Sequence, residues 1–286
     1  FIRIMERLET IQGLREKLGA ASKAGKKIAL VPTMGNLHQG HLSLVKQAQL
    51  LADYVVVSIF VNPTQFVAGE DFENYPRTLD ADLEYLKNLN VDLVFIPDMD
   101  EVYPKGIQIT TEVIVPELDS IYCGEYRPGH FKGVATVVCK LFNIVQPDIA
   151  VFGEKDYQQL LVIRSLVTNL NLPIEIIGAA TMRETDGLAM SSRNVYLTEA
   201  ERQKAPLLFK AIIEVVDSIK KGESNYENLE INAISSLKEA GFKPEYFRVC
   251  DSNTLKTPIN QKLVVLAAAW LGKARLIDNV AVQSYD

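Results

Sequence analysis

The sequence predicts an α/β protein: a parallel sheet with helices on both faces, followed by a smaller α+β domain. Three observations carry this. Short β-branched and aromatic runs alternate with segments of helical period as far as Ala179. One of those runs, Tyr54 to Val61 (YVVVSIFV), is almost uninterrupted in apolar side chains, as strands buried on both faces are. Beyond Ala179 the pattern changes to a polar loop, two helices and short strands, which puts a domain boundary near residue 180 and divides the chain into 1–179 and 180–286.

At 286 residues the chain can bury a large core, and 48% hydrophobic with 23% charged residues excludes general disorder. No apolar run reaches membrane-spanning length. The net charge of −6 argues against a broad nucleic-acid footprint while leaving room for a local basic pocket. Cys123, Cys139 and Cys250 are widely spaced without a CxxC pattern, so reduced thiols in the cytoplasm are expected. The start of the chain is charged and amphipathic, unlike a secretory signal, and the absence of an initiating methionine suggests a terminus that is either processed or set by the expressed sequence.

An N-terminal helix is expected from Met5 to Ala24, then a strand from Ile28 to Val31 that stops at Pro32 and Thr33. Gly35 and two histidines follow, leading into a helix from about His41 to Ala52. In this strand-turn-helix, Gly35 and Gly40 remove Cβ atoms where a ligand would come close, and the unpaired N–H groups of the helix start favour phosphate. His38 and His41 offer hydrogen-bond donors and a proton at neutral pH. The alternatives are a plain turn with two surface histidines, or a zinc site completed by His130.

The run Tyr54 to Val61 ends in NPTQF, which delivers Asn62 and Gln65 to the crevice where open α/β sheets bind ligands; turn chemistry also accounts for Asn62. Thr78 reads as the cap of a helix to Leu89, and Asp80 and Asp82 complement its dipole, with a magnesium contact at Asp82 as the less favoured reading. A strand from Asp92 to Ile96 precedes an extended stretch, Ile107 to Val115. Arg127 to His130 reads as an exposed turn, either solvated or inviting an anion, before a helix whose apolar face carries Val134, Val137, Val138, Leu141 and Phe142.

The strand Asp148 to Phe152 runs into a second corner of the same layout. Lys155 at the following helix start opposes the macrodipole that Asp156 complements, so it is misplaced unless it meets an anion. Gln158 and Gln159 read either as plain surface residues or, for the one within a turn of Lys155, as facing that crevice. Ile174 to Ala179 is the last strand of the series. Ser191, Ser192 and Arg193 then form a flexible loop that suits a polyphosphate tail, or a linker. Thr198 and Glu201 make a capping box for a helix to Lys221; a second helix spans Asn225 to Ala240. Two strands, Tyr246 to Cys250 and Leu263 to Trp270, accompany the stretch Arg275 to Asn279.

Six segments in order, PTMGNLHQGH, FVNPTQF, YPRT, RPGHF, FGEKDYQQL and MSSRN, closely resemble the pantothenate synthetases, the ligases of pantoate and β-alanine. The likeness extends to the KARLIDN stretch; the histidine motif alone would indicate only the wider HxGH nucleotidyltransferase group. The resemblance implies a Rossmann-like ATP-binding half with a C-terminal lid, acting as a cytoplasmic homodimer with Mg²⁺. It implies condensation of pantoate with β-alanine, using ATP and releasing AMP and pyrophosphate. Carried onto this chain, Met34, Gly35, Asn36, Leu37, His38, Gln39, Gly40 and His41 would contact ATP, with His41 as proton donor. Gly153, Glu154, Lys155 and Asp156 would hold ribose and phosphate, and His38, His41 and Lys155 would carry catalysis. Met182 and Met190 would meet adenine through main-chain atoms, and Ser191, Ser192 and Arg193 the polyphosphate. Gln65 and Gln159 would hold pantoate, with Gln65 also near β-alanine, and Asp82 would be the magnesium contact. Ala81 and Cys123 depart from the family pattern, which is more acidic around the first and often has glutamate at the second.

The competing expectations are another HxGH nucleotidyltransferase, which would release pyrophosphate without AMP; a tRNA-charging enzyme, disfavoured by the acidic charge; and a nucleotide sensor on the same fold.

Overall fold

The structure is a computed structural model describing residues 5–259 and 262–282. Its first part contains β1 (Glu6–Leu8), α1 (Ile11–Lys23), β2 (Ile28–Thr33), α2 (Gln39–Leu51), β3 (Tyr54–Ile59), α3 (Leu79–Asn88) and β4 (Leu93–Phe95). Two single turns, α4 (Met99–Val102) and α5 (Cys123–Tyr126), lead to α6 (His130–Val145), β5 (Ile149–Gly153), α7 (Tyr157–Asn169) and β6 (Glu175–Ala179). The rest holds α8 (Glu199–Lys204), α9 (Leu207–Lys220), α10 (Tyr226–Glu239), β7 (Lys243–Asp251), β8 (Leu263–Leu271) and β9 (Ala274–Val282).

The first six strands form one parallel sheet in the order β1-β4-β3-β2-β5-β6. Successive side chains serve opposite cores. Ile28, Leu30, Tyr54 and Val56 pack with α1, α6 and α7, whereas Ala29, Val31, Val55 and Val57 pack with α2 and α3. That double burial is why these strands read as continuous apolar runs. The chain builds outward from β2 through β3 and β4 on one side, and from β5 through β6 on the other. The β2–β5 ladder pairs only Ala29 with Ile149 and Leu30 with Ala150, while the β2–β3 ladder continues to Thr33. Beyond Leu30 the two central strands therefore part, which opens a crevice at their C-terminal ends, the switch point of an open α/β sheet. Pro32, expected to stop the strand, lies inside β2 on this stretch paired only with β3.

The last three strands form an antiparallel sheet, β7-β8-β9. Phe247, Val249, Val265 and Ala267 face the core of α9 and α10, while Tyr246, Cys250, Val264, Leu266 and Ala268 join the core of the large sheet. This sheet is thus buried on both sides.

Several expected elements differ. The N-terminal helix begins only at Ile11, because Thr10 caps it by accepting the Gly13 N–H at 3.3 Å and the residues before it pair with β4. The stretch from Ile107 begins as a 3₁₀ turn, Ile107–Ile109, rather than a strand. The helix opened by the Thr198–Glu201 capping box divides into α8 and α9 at Pro206, which has no N–H to continue it. The stretch Arg275 to Asn279 belongs to a third full strand, β9.

Candidate active site

The crevice between β2 and β5 is lined by both strand-to-helix corners. His38 and His41 come from the first, Lys155 and Asp156 from the second, Gln65 and Gln159 from the flanks, and Met182, Met190, Ser191, Ser192 and Arg193 from beyond β6. Met34, Gly40, Asn62, Tyr75 and Gly153 also line it, and Leu44, Phe60, Val134 and Leu141 form an apolar wall. The imidazoles and the lysine therefore open onto one cavity.

A reciprocal capping box made of two histidines starts α2. His38 Nδ1 accepts the Gly40 N–H at 3.1 Å, and His41 Nδ1 accepts the His38 N–H at 3.3 Å. A nitrogen that accepts carries no proton, so each neutral ring holds its hydrogen on Nε2. Burial first, then the Lys155 ammonium, pushes His38 down to about 4. Burial first, then His38, pushes His41 down to about 3. The expected proton at neutral pH is thus corrected: both rings are neutral Nε2–H donors. Gly40 is required by this geometry, since a Cβ there would lie 2.8 Å from the His38 ring. Gly35 is required by its φ of +81°, and a Cβ on it would face Asp82 and Ile59 rather than the crevice.

Asp82 is only 1% exposed and does not line the cavity. Its oxygens accept the Asn36 N–H at 2.9 Å and the Leu37 N–H at 2.8 Å, and Thr78 donates to it at 3.2 Å. The carboxylate therefore braces the histidine turn from behind, a geometry that leaves it no open face for a magnesium ion. Asn36 and Leu37 serve as the backbone it holds, with Gln39 opening α2 beside them.

Lys155 sits in the 3₁₀ turn Glu154–Asp156 that joins β5 to α7, with Nζ 3.8 Å from Asp156 Oδ2. Desolvation raises the Asp156 carboxyl, but Lys155 and Arg193 overrule it and hold the group below the ordinary carboxylate value. Gln159 faces the cavity; Gln158 instead is buried and binds the Cys123 N–H and the carbonyls of Leu118 and Ile121.

Asn62 is the hub of the next turn: it caps Thr64, accepts the Tyr103 hydroxyl at 2.8 Å and donates to Gln65 at 3.2 Å. Gln65 Nε2 reaches the Met34 sulfur at 3.0 Å. At the turn expected to be exposed, Pro128 and Gly129 are exposed, but Arg127 is half-buried and His130 is buried. Arg127 pairs with Glu70 at 2.8 Å and meets His130 Nε2 at 2.8 Å, while His130 Nδ1 lies 2.6 Å from the Gln65 carbonyl. Both His130 nitrogens are thus engaged away from His38 and His41, and among the described residues no cluster of three or more His, Cys, Asp or Glu is placed to hold a metal.

The loop expected to take the polyphosphate contains a 3₁₀ turn, Ser192–Tyr196. Ser191 caps it, Ser192 donates to the Asn36 carbonyl at 3.4 Å, and Arg193 binds Asp71 at 2.8 Å, which also accepts the Tyr196 hydroxyl at 3.1 Å. Met190 N–H donates to the Met182 carbonyl at 2.9 Å, closing the segment between them into a hairpin. Sequence reasoning missed Tyr75 of the YPRT motif, which lines the cavity, and the acidic pair Glu70 and Asp71, whose only signal was charge in a polar loop.

Comparison with known proteins places this geometry in a lineage. A family model described as pantoate-beta-alanine ligase matches residues 6–281. The chain is 56% identical over 272 residues to the pantothenate synthetase of Shewanella sp. (strain ANA-3), covering 94% of this chain and 96% of that one. A crystal structure of the enzyme from Thermus thermophilus superposes with a TM-score of 0.92 at 42% identity, over 98% of this chain and 100% of that one. The Francisella tularensis pantoate-beta-alanine ligase, crystallised as a complex with beta-gamma ATP and beta-alanine, gives 0.83 at 36% identity over 99% of both chains. A match that runs the length of both sheets, crevice included, leaves a single conclusion: the chain belongs to the pantoate-beta-alanine ligase family.

Proposed function

We infer that this crevice condenses pantoate with β-alanine to pantothenate, using ATP and releasing AMP and pyrophosphate. The observation that carries the reading is the convergence of two neutral imidazoles and one ammonium group on a cavity flanked by two uncharged amides, in a chain of this family. A carboxylate is a poor acyl donor. In-line attack of the pantoate carboxylate on the α-phosphorus makes an acyl adenylate and expels pyrophosphate; the β-alanine amine then attacks the acyl carbon and AMP departs. The chain supplies positioning and charge stabilisation for both displacements.

In this reading the Nε2–H groups of His38 and His41 donate to the α-phosphate oxygens, and Lys155 offsets their charge. Gln65 and Gln159 bind pantoate without adding charge. Met182 and Met190 frame the adenine, and Gly153, Glu154 and Asp156 the ribose side. Ser191, Ser192 and Arg193 take the leaving pyrophosphate, Arg193 exchanging Asp71 for phosphate. Mg²⁺ accompanies ATP as the ion of its phosphates; because the Asp82 oxygens already hold backbone N–H groups, no step is assigned to a protein-bound metal.

Residues 1–179 form the ATP- and pantoate-binding half and 180–286 the lid, a division supported by the change from parallel to antiparallel sheet after β6. A homodimer is supported by Ile107, Ile109 and Ile114, exposed at 41%, 70% and 54% on the stretch expected to be extended. The free thiols of Cys123, Cys139 and Cys250 support a reducing, cytoplasmic setting. No helix among the described residues is long and apolar enough to cross a membrane.

The test is direct. Purified protein with ATP, Mg²⁺ and pantoate releases pyrophosphate, and added β-alanine yields AMP and an amide; pyrophosphate without AMP under the second condition would overturn the ligase reading.

A further inference from the structure

The stretch Arg275 to Asn279 takes no part in the chemistry described above, yet β9 brings two of its side chains against both walls of the crevice. Neighbouring residues of a strand point to opposite faces. Asn279 shares its face with Ile277, which packs on the core of the large sheet, and Asp278 shares its face with Leu276, which packs with α9 and α10.

Asn279 is buried, and its Nδ2 donates to the Glu154 carbonyl at 2.9 Å and to the Lys155 carbonyl at 2.9 Å. A carboxamide has two N–H donors, so this pair saturates it, and the peptide that carries Lys155 is held on both sides by one side chain. Gly153 and Asp156, at the starts of the 3₁₀ turn Glu154–Asp156 and of α7, make no side-chain cap hydrogen bond. Among the described residues, the side-chain restraint on these two carbonyls comes from the C-terminal sheet.

Asp278 works on the other wall. It grips Arg183 with two bonds, 2.6 Å and 2.9 Å, and accepts the Asn279 N–H at 2.8 Å. Arg183 also binds the Gly187 carbonyl at 3.0 Å and stacks 3.7 Å over Phe209. It lies inside the hairpin closed by Met182 and Met190, so its anchoring fixes that hairpin's distance from β9.

We propose that Asn279 is a positioning residue for Lys155, joined through Asp278 to the Met182–Met190 hairpin, so that one strand of the C-terminal sheet sets the spacing of the two walls that clasp the nucleotide. This rests on the role given to Lys155 under the proposed function. Misplacing a transition-state donor by about 1 Å is enough to cost on the order of 10²-fold in rate, whereas ligand affinity responds less because the donor is still present.

The experiment is a double-mutant cycle on pantoate-dependent ATP–pyrophosphate exchange, with unfolding followed by circular dichroism. Asn279→Ala is expected to lower exchange at saturating ATP and pantoate by about 10- to 100-fold with KM for ATP changed less than about 3-fold. In a Lys155→Ala background the same substitution is expected to change the rate by less than about 2-fold, since the group it positions is gone. Asn279→Ser, which keeps one donor, is expected to fall between Ala and the parent. Equal losses in both backgrounds, or a parental rate for Asn279→Ala, overturn the proposal. Loss of cooperative unfolding in both Asn279 variants also overturns it, because the residue would then hold the fold and not the lysine. Near-parental exchange in Lys155→Ala alone would count instead against the proposed function's use of that lysine.

Discussion

An alanine at Gly133 would place its methyl carbon 2.1 Å from the Thr64 carbonyl oxygen and 2.7 Å from the Gln65 nitrogen. Gly133 lies in the first turn of α6, and its own carbonyl accepts the Asn62 side-chain N–H at 3.3 Å, so the helix and the Asn62–Gln65 turn are in backbone contact. An ordinary carbon–oxygen approach is about 3.3 Å or more, so the turn would have to retreat by about 1 Å. Overpacking of this kind costs about 1–3 kcal/mol, and roughly 1 kcal/mol returns because alanine is the better helix former. The net loss of stability is therefore about 0–2 kcal/mol. The effect on chemistry is larger, because a displacement of about 1 Å in the amide proposed to hold pantoate would lower the rate by about 10²-fold. The assay is pantoate-dependent pyrophosphate release against pantoate concentration, beside thermal unfolding of the same sample. A Gly133→Ala protein within about 3-fold of the parent in both rate and pantoate KM would refute the claim that this close approach sets Gln65.

Further outcomes follow from the same geometry. His41→Ala and Lys155→Ala should each reduce pyrophosphate release by at least about 10²-fold, as loss of one transition-state donor does, and a rate near the parent's would remove that residue from its role. His130 is held down to about 3, first by burial and then by Arg127. The unfolded chain takes up a proton near pH 6.5 that the folded one refuses. Its contribution to stability is therefore complete above that pH and falls as the pH drops, by about 3 kcal/mol at pH 4. Thermal unfolding of the parent and of His130→Gln should diverge in slope over that window; parallel curves would contradict the burial argument. If the proposed homodimer uses the exposed isoleucines, Ile109→Asp should lower the mass seen by light scattering towards that of a monomer while leaving secondary structure intact, and an unchanged mass would count against that interface.

The features legible in the sequence were the ones that depend on near neighbours. Strand and helix alternation follows from periods of two and 3.6, and the cap of α8 from Thr198 and Glu201 three positions apart. The two corners were legible for the same reason: His38 with His41, and Lys155 against its own helix start, are local patterns. The protonation of the histidines was not, because it depends on burial supplied by the whole crevice.

The chain by itself determined an open α/β half, a smaller α+β half, and the residue types gathered at two strand-to-helix turns, since periodicity and turn chemistry are written in consecutive residues. Only the tertiary structure decided which of those groups already have partners. Arg193 meets Asp71 from 122 positions away, and Asn36 meets Asp82 from 46 away, so the cation expected for phosphate is paired and the acid expected for a metal is a brace. Asn279 reaches the Lys155 carbonyl across 124 positions. Contacts at such separations arise when elements distant in the chain pack together, and no spacing along the chain encodes where a buried polar group will find its partner.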